Sequence, residues 1–172
     1  RSTLFPYTTL FRSRTGQRIG PRVKLHPLHP VSVHAPIACI AFAPLADLGA
    51  ALTGQSYFWA VGALMTAGAV VFGLIAATFG AIDFERAYAK APKTVSWHAG
   101  LMATAVTLDG ASAFGRFDDS FAVLTPPAAW AIAVGVLALI VAGVGGFLGG
   151  ELVYRHGVNV EARPGGLPTP DG

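Results

Sequence analysis

The chain has 172 residues, 53% of them hydrophobic and only 12% charged, and its mean hydropathy is +0.55. Soluble domains carry about 25% charge, so this composition excludes an ordinary soluble domain and points to a membrane protein. A formal charge of +3 is too small and too dispersed to mark a nucleic-acid binder, and a single cysteine excludes a disulfide framework or a cysteine-based metal site.

In chain order, Arg1–Ser13 is foreign to any fold. Its segment Thr3–Ser13, TLFPYTTLFRS, is what a widely used sequencing adapter gives when translated, and it is set aside as an adapter artefact. Residues 14–30 then form a short, basic N-terminal segment. Four apolar runs follow at Val31–Leu52, Tyr57–Gly80, Val95–Phe114 and Ala128–Tyr154. Each holds about 20 residues or more, which at about 1.5 Å per residue crosses a hydrocarbon core of about 30 Å. The first run contains Cys39, expected as a small buried filler, and Pro44, expected to kink its helix. Pro126 and Pro127 open the fourth run, where a missing N–H is harmless. That run also carries a small-residue track, Ala142, Gly146 and Gly150, at the four-residue spacing that lets helices approach closely. No inverted repeat of the transporter kind is evident. Residues 161–172 are Pro/Gly-rich and read as a disordered tail.

Basic residues assign the sides. Arg14, Arg18, Arg22 and Lys24 precede the first run, Arg86, Lys90 and Lys93 lie between the second and third, and Arg155 and Arg163 follow the fourth. Arg116 alone falls on the opposite side, next to Asp118 and Asp119. The positive-inside rule therefore predicts an all-α, four-helix antiparallel transmembrane bundle spanning residues 31–160, with both termini cytoplasmic. Tyr57, Trp59 and Trp130 would mark its outer boundary, and Trp97 and Tyr154 its inner one.

The polar residues then sort by end. His26, His29, His34, His98 and His156 all map to the cytoplasmic end. His26 and His29 lie in HPLHP, where Pro27 and Pro30 predict an extended entry. His34 and His98 fall at the starts of the first and third runs, at one depth, and could face each other. Asp83, Glu85 and Glu151 end the neighbouring runs at that level. Imidazoles close together, with carboxylates to orient their second nitrogens, are what haem b or a transition metal uses. The competing reading makes them hydrogen-bonded interface residues. Near the other end, Asp47 and Asp109 sit in apolar surroundings with Thr104, Thr107 and Ser112 nearby. A carboxylate in hydrocarbon costs about 2.5–3.5 kcal/mol on insertion scales, so each must face protein or water. Structural hydrogen bonding and a proton or ion path through Asp109 are the two readings.

Several segments resemble a known family. HPLHPVSVHAPI at 26–37, ADL at 46–48, FGAIDF at 79–84, WHAG at 97–100 and GGELVYRHGVNV at 149–160 are similar to an uncharacterised bacterial four-span membrane domain family whose members begin HPxHPxxVHxPI and end near GGxLVYxHGVGV. The resemblance implies a multi-pass protein of the bacterial inner membrane. Some relatives are joined to cytochrome or Rieske-type modules, which implies a redox setting. The family's polar motif positions fall on His26, His29, His34, Asp47, Asp83, His98, Glu151, Tyr154 and His156. Asn159 replaces an expected glycine, and Met102 an expected Asn.

The sequence thus carries three functional expectations. The first is a redox-associated subunit binding haem or a transition metal through His34 and His98, with His29 and His156 in support and Asp83 behind them. The second is a non-catalytic scaffold that contacts lipid, itself or a larger complex. The third is a proton or ion path through Asp109. No nucleophile–base set is present, so no catalytic residue is assigned.

Overall fold

The computed structural model describes residues 28–121 and 123–160. The expectations placed on Arg1–Ser13, on His26 and on the 161–172 tail lie outside these residues. Among the described residues the chain is all-helical: α1 is Leu28–Ser32, α2 His34–Thr53, α3 Tyr57–Lys90, α4 Pro92–Phe114 and α5 Ala129–Tyr154. An isolated bridge between Phe117 and Leu124 pins the α4–α5 loop.

Two boundaries differ from the sequence reading. The entry at Leu28–Ser32 is helical rather than extended, and backbone bonds from Val33 N to His29 O and from Ile37 N to Val33 O carry α1 into α2. Pro30 sits in the first turn, where its missing N–H has no helical acceptor to lose, so it is compatible with a helix start. Helix α3, formed by the second apolar run, extends ten residues beyond Gly80, to Lys90. Ala91 then breaks the helix, and Pro92 takes the first position of α4, where a fixed φ suits helix initiation. Pro44 lies within α2, which continues through it to Thr53.

Three helical segments, Leu28–Thr53, Tyr57–Lys90 and Ala129–Tyr154, are long and apolar enough to cross a membrane. The fourth, α4, has 23 residues, about 35 Å at 1.5 Å per residue, but it is more polar. The interior is built from small residues: Gly62, Thr66, Ala69, Gly73 and Ala76 of α3, and Ala131, Gly135, Ala138, Ala142 and Gly145 of α5, are buried. Large side chains such as Leu64, Phe72, Leu74, Leu137, Ile140 and Phe147 point outward and are exposed. A water-soluble bundle would reverse this arrangement. In lipid, small residues at the seam permit close backbone contact, and large apolar ones face a solvent as oily as themselves.

The small-residue track of the fourth run is thereby corrected. Ala142 is buried, but among the described residues Gly146 has no neighbour that an added Cβ would meet, and neither has Gly150. Packing instead uses Gly145, set against Met102 and Leu101, and Gly149, set against the His98 ring. The inward face follows the mixed three- and four-residue steps of a real helix rather than a strict four-residue row.

One apolar cluster joins Cys39 and Ile40 of α2 to Ala69, Ala105 and Ala142 at mid-bundle. A second joins Ala87, Ala91, Val95, Leu152 and Val158 at the α3–α4 junction. The chain after α5 folds back onto this junction: Lys90 Nζ donates to Gly157 O at 2.5 Å, and Asn159 Nδ2 to Asp83 Oδ2 at 3.2 Å. Gly157 and Asn159 both adopt left-handed backbone angles, φ 60° and 59°. Glycine accepts that conformation freely and Asn is among the few other residues that do, which accounts for Asn159 standing where glycine is expected.

Candidate functional site at two polar pairs

Two polar pairs lie at opposite ends of the bundle. At the first end, α1 supplies His29 and α4 supplies His98. Their rings meet edge to face, with centroids 6.2 Å apart and planes at 81°. His29 Nδ1 is 2.8 Å from Ala76 O on α3, and His98 Nδ1 is 2.8 Å from Gly145 O on α5. A carbonyl only accepts, so each Nδ1 carries the proton and donates. That fixes the tautomer and leaves each Nε2 with its lone pair. Neither Nε2 has a protein hydrogen-bond partner among the described residues. Two glycines make room: a Cβ on Gly80 would stand 3.0 Å from the His29 ring, and one on Gly149 3.0 Å from the His98 ring.

This is a different pairing from the one expected on sequence. His34 is exposed and its Nδ1 turns back to Val31 O at 3.1 Å, so the structure brings His29, not His34, to His98. The helical entry is the cause, because it places His29 on the inward face of the chain and His34 on the outward one. His156 is half-buried after α5, and its backbone N–H bonds Glu151 O. Asp83 accepts from Asn159, and Glu151 accepts from Arg155 Nη1 at 2.8 Å. Neither carboxylate is hydrogen-bonded to an imidazole among the described residues, and no group of three His, Cys, Asp or Glu side chains converges there as a metal cage. The partners of the paired imidazoles are backbone carbonyls.

At the other end, sequence reasoning missed a residue. Arg116, taken as the lone cation of an external loop, is 1% exposed. Its Nη1 and Nη2 donate to Asp47 Oδ1 and Oδ2, both at 2.7 Å, a bidentate pair of the strongest kind. The loop turns Arg116 inward by tying both its limbs: Thr125 N bonds Arg116 O and Ala128 N bonds Gly115 O. Gly62 gives the pair its space, since a Cβ there would lie 2.8 Å from Arg116 Nη1 and 2.9 Å from Asp47 Oδ1. The signal that could have found it was the isolation of one arginine beside a carboxylate with no other partner in hydrocarbon.

Asp109 is also buried, and among the described residues its Oδ2 has no hydrogen-bond partner, nor has Arg116 Nε. Ser112 Oγ donates to Ala131 O at 2.8 Å, tying α4 to α5. Thr66 Oγ1 bonds Gly62 O, and Thr104 and Thr107 likewise bond Gly100 O and Ala103 O in their own helix. Thr104 and Thr107 are exposed, so they do not extend the Asp109 environment into a polar row.

A family model described as predicted membrane protein (DUF2231) matches residues 25–162. No curated protein and no solved structure matches the chain. The match covers both polar pairs and every described helix, and the chain belongs to this membrane protein family.

Proposed function

From that membership and that geometry, we propose that the chain is a redox-associated subunit of the bacterial inner membrane in which His29 and His98 hold haem b or a transition-metal ion. The observation that carries this reading is the matched anchoring of the two imidazoles. Each Nδ1–H is held by a backbone carbonyl at 2.8 Å, which orients the ring and leaves Nε2 as the ligating atom. Haem iron or a metal ion bound there would supply one-electron transfer. The chain's own part is to hold the two rings close, with Gly80 and Gly149 packed against them.

The same reading takes all four long helices as crossing the bilayer, antiparallel, with both termini cytoplasmic. In its support, α4 packs against α3 and α5, buries Asp109 and Ser112, and satisfies the hydroxyls of Thr104 and Thr107 within itself. Arg86, Lys90, Lys93 and Arg155 gather at the histidine end, which the positive-inside rule makes cytoplasmic.

Purification in mild detergent, with a reduced-minus-oxidised spectrum and metal analysis, tests the proposal. A haem band or stoichiometric metal is expected, lost in His29→Ala and in His98→Ala and kept in His34→Ala. A colourless, metal-free protein would refute it. A scaffold role is the second reading, favoured by one observation: Gly143, Gly146 and Gly150 on α5 have open space where a Cβ would be, a surface on which another helix can seat. It predicts a detergent-stable oligomer or complex that Gly146→Leu dissociates.

A further inference from the structure

The two polar pairs share one sequence interval. Asp47 and Arg116 are 69 residues apart, and so are His29 and His98. The acceptors follow suit: each histidine reaches a carbonyl 47 residues further on, Ala76 for His29 and Gly145 for His98. The glycines against the rings, Gly80 and Gly149, keep the interval. So does the buried face of the longest helix. Gly62, Thr66, Ala69, Gly73 and Ala76 of α3 answer one for one to Ala131, Gly135, Ala138, Ala142 and Gly145 of α5. Elsewhere, Pro36, Ile40, Ala43 and Asp47 of α2 answer to Ala105, Asp109 and Ser112 of α4 and to Arg116 in the turn that follows it. A shared register of this length across two helix pairs is not what unrelated helices produce, although the buried Cys39, Ala46, Ala87 and Leu152 answer to half-buried Leu108, Gly115, His156 and Asp83.

Equivalent residues that touch each other must flank the rotation axis that relates their halves. Two such pairs touch, and they are separated along α1–α2 by about 27 Å at 1.5 Å per residue. Both points therefore define one axis running the length of the bundle. A unit of two helices returns to the side it started from, so its copy repeats in the same sense, with the axis along the membrane normal rather than in its plane. The axis also gives the ion pair a meaning. Pairing the first half with itself would bury Asp47 against Asp47, and pairing the second with itself would bury Arg116 against Arg116. Only unlike halves neutralise the position, and buried like charges are strongly disfavoured.

We propose that the chain is two copies of one helix pair, residues 28–90 and 97–159, packed about a pseudo-twofold axis that passes between His29 and His98 at one end and Asp47 and Arg116 at the other, and that the Asp47–Arg116 ion pair is the determinant that matches each half to its unlike partner. This holds whether or not the histidines carry a ligand. It predicts that the charges at positions 47 and 116 can be exchanged, although Asp47 lies within α2 and Arg116 in the turn after α4.

The test compares the full-length protein with Asp47→Arg, Arg116→Asp and the double exchange, by monodisperse yield on size exclusion in detergent. Each single reversal is expected to lose at least tenfold, and the double exchange to return to within twofold of the parent. Single variants as good as the parent, or a double exchange as poor as the singles, would overturn the proposal. A circular permutant with the second half placed before the first, joined by a short flexible linker, supplies a check that leaves the ion pair untouched. Symmetry makes the new junction, Asn159 to Leu28, equivalent to the native Lys90–Trp97 connection. The permutant should elute and melt as the parent does, and an aggregated permutant counts against equivalent halves.

Discussion

At the scale of single residues, the controlling fact is that the buried charges Asp47 and Arg116 are placed as a pair. Removing one member of a buried ion pair strands the other. Arg116→Ala should therefore cost about 3–5 kcal/mol, read as a lower melting temperature in detergent, and Asp47→Ala should cost a similar amount. Gly62→Ala tests the same site from outside, since its Cβ would stand within 2.9 Å of both charged side chains. Crowding of that kind costs about 1–3 kcal/mol. Gly100→Ala, with nothing within 4 Å, is the matched control and should leave stability unchanged. Histidine, aspartate and arginine were all visible as chemically expensive residues in an apolar chain. Which of them meet was not visible, because His29 and His34 lie one and a half turns apart and a single change at the entry, helix for extended chain, exchanges their faces.

Among the helices, length and boundaries were legible where apolar runs met charge or proline: Tyr57, Pro92 and Tyr154 each lie at or within a few residues of an expected edge. Helix α3 outran its apolar stretch because nothing in 81–90 breaks a helix. Its last turns bury Ala87 against Val95 and Leu152, so packing sustained what hydropathy did not mark. The buried face of α5 was misplaced by one residue for a related reason. Composition shows that small residues exist, but only the neighbour decides which of two adjacent glycines turns inward. Adjacent positions should accordingly respond in opposite ways. Gly145→Leu would force a side chain into Met102 and Leu101 and should sharply lower the melting temperature, whereas Gly146→Leu should leave it near that of the parent. Equal effects of the two on thermal unfolding would contradict the packing described for α4 and α5.

For the molecule as a whole, exposure of large apolar side chains over a small-residue interior identifies the solvent as lipid. Topology follows if the basic end lies in the cytoplasm. In a Cys39→Ser background, Lys90→Cys should resist a membrane-impermeant maleimide in intact cells and react after permeabilisation. Asp119→Cys should react without it. The opposite labelling would invert the bundle and place the histidine pair outside.

What the sequence determined by itself is the membrane class, the helical architecture and the family, because hydropathy, charge placement and end motifs are properties of the chain read one residue at a time. The histidine pair, the inward Arg116 and the matched register of the two halves were decided only by tertiary structure. Each is a relation between residues tens of positions apart, set by which helix faces meet. Between the halves, small residues stand in for one another with little identity, so equivalence survives in burial and geometry where the letters have diverged.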